Sequence, residues 1–538
     1  MSDRRDDDRN LADVPEMGEA VEEARASTRA WIGRFLGPIL AVLIYFFLPP
    51  GGDLTQPGVA TIAVGVLIAT WWVTEALPLP ATSLLPIALF PLLGVVEIED
   101  AASPYANDLI FLFMGGFMLA LAMQRWGLHR RIALLTVRAV GTSPVRMIGG
   151  FMIATGFLSM WVSNTATTVA MLPIGLSVLV LVLGNPGSEP EGATEAGTGS
   201  SPEAGSAGQQ PVTGQGASNF ATCLMLAIAY SASIGSLATL IGTPPNLFMA
   251  SFLEEEYDVS IGFGTWMLVG LPLAVVFMFI TWVLLTRFIY PPEMEEISGG
   301  REVIQGQIDE MGPVSRGEKV VLTVFVLTAL SWILNSILPS IFPSLEEVLS
   351  GVQDAGIAII AALVLFAIPI DWRNGVFALD WETARQLPWG ILLLFGGGLS
   401  LANAVSETGV DQWIGSLVSG LGGVPVFLLV GIVIVVVILL TELTSNTATT
   451  AALLPILAGA AIGLNLEPLA LAVPTALAAT CAFMIPVATP PNAIVFGSGH
   501  ITIVQMVRAG VWLNIIGAVL IFATAYTLAN WVLGITFG

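Results

Sequence analysis

Two apolar stretches of this chain, residues 147–184 and 424–464, are too long for one membrane crossing, and each carries the same polar string near its middle. The strings are Ser163-Asn164-Thr165-Ala166-Thr167-Thr168 and Ser445-Asn446-Thr447-Ala448-Thr449-Thr450. A crossing helix needs roughly 20 apolar residues, and these stretches are about double that. Polar groups at membrane depth are costly unless they line a cavity or bind something. The pattern therefore predicts chain reversals inside a bilayer, with their polar corners at a functional site. Its duplication predicts two related halves whose breaks meet at one place. A membrane transporter is the reading that joins these points.

Composition agrees. The 538 residues are 55% hydrophobic and 11% charged, whereas globular chains carry about 25% charged residues. The first 30 residues are polar and show no apolar core or cleavage site, so no removable signal peptide is expected. Cys223 and Cys481 both lie in apolar segments, which argues against a disulfide or metal framework. Acidic residues outnumber basic ones, 40 to 18, and fall mostly in loops and termini. That excess fits ordinary solvated loops or a surface adapted to high salt. It leaves no basic footprint for nucleic acid.

Two further overlong segments, 219–251 and 468–499, are broken by Thr243-Pro244-Pro245-Asn246 and Thr489-Pro490-Pro491-Asn492. If these each cross once and the double-length stretches are re-entrant hairpins, the chain makes 11 crossings from a cytoplasmic N-terminus. All 18 basic residues, from Arg4 to Arg508, then fall on the cytoplasmic side or its helix ends, as the positive-inside rule requires. A single crossing by 147–184 would instead carry Arg301, Arg316 and Lys319 outside. The expected fold is an all-α polytopic protein of the plasma membrane, with its C-terminus outside. Its expected parts are a disordered cytoplasmic N-terminus over 1–30, a first crossing within 31–57, repeat 1 over 58–290, a cytoplasmic loop over 291–317 and repeat 2 over 318–538.

Phe113, Gly127, Ile132, Ser163 and Pro173 recur at one constant offset as Phe395, Gly409, Ile414, Ser445 and Pro455. Thr243 recurs as Thr489 at a shorter offset, and the difference matches the tract 186–218. That tract is rich in Gly, Ser, Pro and Glu and reads as a disordered cytoplasmic insertion. Each half has five crossings and a hairpin. Five is odd, so the second half enters the membrane inverted and the hairpins enter from opposite faces.

A hairpin corner leaves unpaired carbonyls on its first arm and unpaired N–H groups on its second. Ser and Asn are favoured N-caps, so Ser163 or Asn164 alone fits a simple helix cap. Two equivalent copies, each followed by a Pro-Pro break, favour a ligand site. Pro lacks an N–H and clashes with the preceding turn, so both Pro-Pro pairs interrupt their helices. Gly242 and Ala488 precede them, where freed carbonyls suit a cation. No Lys, Arg or His lies in the four breaks. Four half-helix N-termini of roughly +0.5 each supply about +2, comparable to the charge of a dianion. Oxygen-rich helix ends suit Na⁺ better than a transition metal. Glu442 has two readings: a group that tunes cations or carries a proton, or a carboxylate hydrogen-bonded to neighbouring helix ends, the commoner situation. Glu75 in Trp71-Trp72-Val73-Thr74-Glu75-Ala76-Leu77-Pro78 reads as structural.

The paired Ser-Asn-Thr strings, the Thr-Pro-Pro-Asn breaks and Trp-Trp-x-x-Glu-Ala-x-Pro together resemble the divalent anion/sodium symporter family over nearly all of residues 30–538. The resemblance implies 11 crossings with two hairpins, a homodimer, an elevator-like displacement and Na⁺ as coupling ion with no other cofactor. It implies substrates among the di- and tricarboxylates, or sulfate in some branches. Carried over by motif, Ser159, Ser163, Asn164 and Gly242 would form the first sodium site. Thr441, Thr444, Asn446 and Ala488 would form the second. Asn164, Thr165, Asn446 and Thr447 would hold the carboxylates, helped by Thr489 and Pro490.

The resulting expectation is Na⁺-coupled import of a dicarboxylate of the succinate, fumarate or malate class. Two Na⁺ with one dianion move no net charge, so the membrane potential, about 2.3 kcal/mol per charge per 100 mV, would drive uptake only through a third Na⁺. Rival readings are a sodium-independent dicarboxylate exchanger, a citrate, sulfate or other anion transporter of the same superfamily, a channel and an intramembrane enzyme. The enzyme would need a nucleophile with a base, a metal cluster or paired aspartates at depth, and the sequence presents none.

Overall fold

The computed structural model describes residues 16–537 apart from 52–53, 142, 184–218, 293, 295–296, 298, 343, 345–350 and 419–423. The disorder expected for 1–15 and for 186–218 therefore lies outside the described residues. The long helices follow the apolar runs. They are α1 (Glu16–Phe47), α2 (Gln56–Thr74), the short pair α3 (Leu79–Thr82) and α4 (Leu85–Leu92), α5 (Ile98–Ala102) and α6 (Asp108–Arg125). α1 begins well before residue 31, because Glu16 to Ala30 continues the same helix. Next come α7 (Leu128–Val140), α8 (Pro144–Ser159), α9 (Asn164–Leu183), α10 (Asn219–Ser236), α11 (Pro244–Tyr257) and α12 (Phe263–Val283).

The second part of the chain continues with further helices. α13 (Gly300–Glu310) is a connecting helix, followed by α14 (Arg316–Ile341), α15 (Asp354–Ala367), α16 (Trp381–Ala384), α17 (Trp389–Glu407) and α18 (Val410–Val418). The chain ends with α19 (Val426–Thr441), α20 (Asn446–Gly463), α21 (Leu469–Ala479), α22 (Pro490–Gly497), α23 (Ile503–Thr524) and α24 (Asn530–Leu533). One small strand pair, Pro369–Asp371 with Val376–Phe377, is the only sheet among the described residues. Nine described helical segments are long and apolar enough to cross a membrane. Shorter apolar helices stand where the sequence predicts crossings at Leu79–Leu92, Asp354–Ala367 and Leu469–Ala479.

Both double-length stretches fold back on themselves. A straight helix of about 38 residues would hold its ends roughly 57 Å apart. Instead Met147, near the start of α8, lies against Gly300, and Ser177, near the end of α9, accepts from Gln307 at 2.6 Å. Gly300 and Gln307 are two turns apart on α13, so the outer ends of α8 and α9 lie side by side. The later pair behaves alike. Gly431, early in α19, faces Phe522, and Glu467, just past α20, accepts from Thr536 beside the same end of α23. Tyr526 and Phe537 stack there with centroids 4.0 Å apart.

Local chemistry fixes the joints. Gly127 and Gly409, matched in the sequence, both take left-handed φ, 67° and 72°, where a side chain would be strained. Arg131 then enters a buried ion pair with Glu318, with the two side chains 8% and 3% exposed. Its remaining N–H groups reach the carbonyls of Gly312 and Met311. Glu318 also closes a capping box with Ser315 at the start of α14. One charge pair thus ties α7, the 311–315 turn and α14 together.

The far end of α11 carries Glu254, Glu255 and Glu256 against other acids. Burial first, then Asp108, Glu255 and Asp354, push Glu254 up to about 7. Burial likewise pushes Glu256 up to about 7, with Glu255, Asp411 and Glu407 adding to it and a hydrogen bond from Ser406 opposing it.

Two outcomes are expected. Arg131→Ala leaves Glu318 buried without its partner, so stability in detergent should fall by about 3–5 kcal/mol, read as a lower thermal midpoint. A carboxylate whose folded-state pKa is raised contributes stability below about 4.5 that is lost as pH rises through about 7. Hydrogen-exchange protection of the last turn of α11 should therefore drop between about pH 4.5 and 7, and Glu254→Gln with Glu256→Gln should flatten that dependence.

Candidate functional site

The corner between α8 and α9 gathers three oxygens. Ser159 Oγ lies 2.8 Å from Asn164 Oδ1 and 2.6 Å from the carbonyl of Ala232 on α10. The later corner repeats this. Thr441 Oγ1 lies 2.7 Å from Asn446 Oδ1 and 2.7 Å from the carbonyl of Ala479 on α21. In each triad one hydroxyl proton serves two acceptors, so oxygen lone pairs outnumber protons. Such a donor-poor cluster of hydroxyl, amide and carbonyl oxygens is what a hard cation such as Na⁺ prefers. Among the described residues no group of His, Cys, Asp and Glu could hold a transition metal.

The neighbouring breaks supply more backbone oxygen. Asn164 Nδ2 reaches Ser236 Oγ at 3.3 Å. After Ser236 the chain turns tightly to Gly242, where an added Cβ would come 2.3 Å from the Ser236 carbonyl. Only glycine fits there. Asn246 holds this turn, its Nδ2 donating to the carbonyls of Ser236, Leu237 and Thr239. Asn492 does the same in the later break, donating to the carbonyls of Ala482 and Ile485. Both asparagines are fully buried. Each leaves Oδ1 without a hydrogen-bond partner. This bracing role was missed in the sequence, although the Asn after each Pro-Pro pair was its signal.

The remaining expected residues divide. Ser163 Oγ accepts from the Ala166 N–H at 3.3 Å, so that hydroxyl caps α9. Thr444 Oγ1 donates to the Leu440 carbonyl at 2.9 Å and touches Thr449 Oγ1. Thr489 Oγ1 accepts from the Asn492 N–H at 3.4 Å and caps α22, with Pro490 in the first turn. Thr165 is exposed at the start of α9, whereas Thr447 and Ala488 are buried. The packing brings the breaks together crosswise: α9 lies on α22, and α20 lies on α11. The helices that start at Asn164, Pro244, Asn446 and Pro490 thus pack across the two parts of the chain, and their breaks carry no Lys, Arg or His.

Glu442 is tied to neighbouring helix ends. Its Oε1 accepts from the N–H groups of Phe483 and Met484, at 2.7 and 2.9 Å, and from Asn514 Nδ2 at 2.7 Å. Those N–H groups follow the end of α21, so the carboxylate satisfies donors that the break sets free. At the matched corner Met160 stands instead, and its carbonyl accepts from the Thr239 hydroxyl.

A family model described as the sodium:sulfate symporter transmembrane region matches residues 29–535. A Staphylococcus aureus protein (strain MRSA252) named sodium-dependent dicarboxylate transporter SdcS is 43% identical over 510 residues, 95% of this chain and 93% of its own. The protein of the same name from strain USA300 is 43% identical over 505 residues, 94% of this chain and 92% of its own. Among solved structures, the Alcanivorax borkumensis YdaH transporter aligns with a TM-score of 0.52 at 14% identity, over 88% of this chain and 99% of its own. Neisseria gonorrhoeae MtrF, from a class of antimetabolite efflux pumps, aligns with a TM-score of 0.53 at 14% identity, over 93% and 98%. At that identity these two show the fold alone.

Glu442→Ala should strand three buried donors at about 1–3 kcal/mol each before relaxation. Its melting midpoint should fall sharply, with Glu442→Gln losing less. Met160→Leu at the matched corner should stay within about 1.5 kcal/mol of the parent protein.

Proposed function

The chain belongs to the sodium:sulfate symporter family, and on that premise we propose that it imports dicarboxylates of the succinate, fumarate and malate class by secondary active symport with Na⁺. The observation that carries this reading is the duplicated oxygen triad, Ser159–Asn164–Ala232 and Thr441–Asn446–Ala479. Each triad suits one dehydrated sodium ion. The Asn164 and Asn446 amides then stand between a cation site and the cluster of helix starts that suits a dianion. The identity to two sodium-dependent dicarboxylate transporters supports the substrate class.

In this reading the sodium ions bind first and neutralise the lone-pair excess of the triads. With Na⁺ present the tips stiffen, and Thr165, Thr447, Thr489 and the half-helix N-termini present N–H and O–H donors to the carboxylates. Ser163, Gly242, Thr444 and Ala488 complete the sodium shells with hydroxyl or carbonyl oxygen. The chain crosses the plasma membrane 11 times as two inverted repeats, with a cytoplasmic N-terminus and an external C-terminus. The region holding both corners slides as a body against the rest of a homodimer.

The test is uptake of radiolabelled succinate into proteoliposomes. Replacing Na⁺ by K⁺ should abolish it, and excess fumarate or malate should compete better than sulfate or citrate. Asn164→Ala and Asn446→Ala should each abolish uptake in a protein that still elutes as a folded species. Ser159→Ala and Thr441→Ala should raise the half-saturating Na⁺ concentration by about tenfold. Equal uptake in Na⁺ and K⁺ would sink the symport reading and favour exchange.

A further inference from the structure

The two halves differ in what covers their breaks. α11 is buried from Pro245 to Leu253 and packs on α17 and α6. Phe248 occupies the space beside Gly398 of α17, where an added Cβ would come 2.4 Å from its ring. α22 is the counterpart of α11, yet it packs on α9 and α10 and makes no comparable contact with α6 among the described residues. Gly116, the counterpart of Gly398, faces Ile241 instead. Val487, just before α22, is 63% exposed.

The corners also sit at unequal heights. Trp161 at the first corner packs between Phe325 of α14 and Phe263 at the outer start of α12, with ring centroids 5.0 and 5.9 Å apart. Leu443 is its match at the second corner and lies beyond the cytoplasmic end of α2, at Arg29 and Glu75. Arg29 Nη1 donates to the Leu443 carbonyl at 2.9 Å, and Arg29 Nη2 pairs with Glu75 at 3.1 Å. In an inverted repeat the opposite end state arises when the two halves exchange environments. The second corner therefore stands at the cytoplasmic face, with α11 closing the outer side and α22 bare on the inner side.

We propose that Arg29, oriented by Glu75, latches the second corner through the Leu443 carbonyl and so stabilises the state open to the cytoplasm. This rests on the sidedness and alternating access of the proposed function. The Leu443 carbonyl follows the end of α19, among the groups that a helix end leaves unpaired. A guanidinium fork can hold this carbonyl and a carboxylate together, whereas an ammonium offers no such planar pair. When the corner moves outward along α2 the bond must break. Arg29 is thus a positioning residue that acts on the balance of states and touches neither Na⁺ nor substrate. Both side chains are about half exposed, so the latch is weak and loss of it shifts the balance without stopping transport.

Two reporters test this in membrane vesicles with a membrane-impermeant maleimide, against a background where Cys223 and Cys481 are buried. Val487→Cys reads the inner opening. Ser251→Cys reads the outer closure, one turn from Phe248 on the same face of α11. In the parent protein Val487→Cys should label from the cytoplasmic side and Ser251→Cys should resist label from outside. Arg29→Ala should lower the inner-to-outer labelling ratio about two- to fivefold. Arg29→Lys should lower it less, and Glu75→Gln should move it the same way. An Arg29→Cys, Leu443→Cys pair should be bridged by a bifunctional methanethiosulfonate cross-linker and block uptake until reduced. An unchanged ratio in Arg29→Ala, or no cross-link, would overturn the latch. Labelling of Val487→Cys from outside alone would overturn the sidedness and the latch with it.

Discussion

A helix broken inside an apolar medium sets free carbonyl and N–H groups that water cannot reach, each costing several kcal/mol if left alone. This chain has four such breaks, and its architecture is organised around satisfying them. Asn246 and Asn492 gather the carbonyls at two of the breaks, and Glu442 gathers N–H groups. The oxygens that remain at Ser159 and Thr441 share one hydroxyl proton among three. Sodium completes them in the proposed cycle, so ion binding and corner rigidity are one event.

Under the proposed function, the same constraint explains how neutral residues can serve a charged substrate. A lysine or arginine at the breaks would be desolvated whenever the site is empty and would compete with sodium for the carboxylates. Helix starts hold their partial charge without a proton or a counter-ion, and their strength depends on orientation. The packing of α9 on α22 and of α20 on α11 brings helices of the two halves together. Bracing by asparagine amides is fixed in geometry, because each Nδ2 is held by more than one carbonyl.

The halves are related in sequence yet meet unequal surroundings. Met160 leaves its corner to a hydroxyl from Thr239, whereas Glu442 brings a full charge to the other. α11 is sealed against α17, and its counterpart α22 is not sealed against α6. In the proposed reading of two inverted units such inequality is required, since a symmetric arrangement would open to both sides or to neither. The buried Arg131–Glu318 pair lies outside this asymmetry and anchors α7 to α14.

Much of this was legible in residue order. Apolar runs, the duplicated Ser-Asn-Thr strings and the Pro-Pro pairs located the helices and their breaks, because the period of hydrophobicity and the missing N–H of proline act locally. The doubling back of 147–184 and 424–464 followed from length and polar corners. Glu442 was already weighed as a carboxylate bonded to helix ends, and the hydrogen bonds to Phe483 and Met484 bear this out. Less legible were the helix that begins at Glu16 and the short strand pair near Pro369.

The sequence by itself determined which residues could break a helix and which polar groups would stand at each break. Only the tertiary structure decided which oxygens share a proton, because Ala232 and Ala479 contribute carbonyls that any residue possesses and so carry no signature in the side chain. Only the structure joined Arg29 and Glu75 to Leu443, since contacts between distant segments depend on how whole helices sit against one another. Backbone chemistry is uniform along a chain. Its use at a site is therefore set by packing.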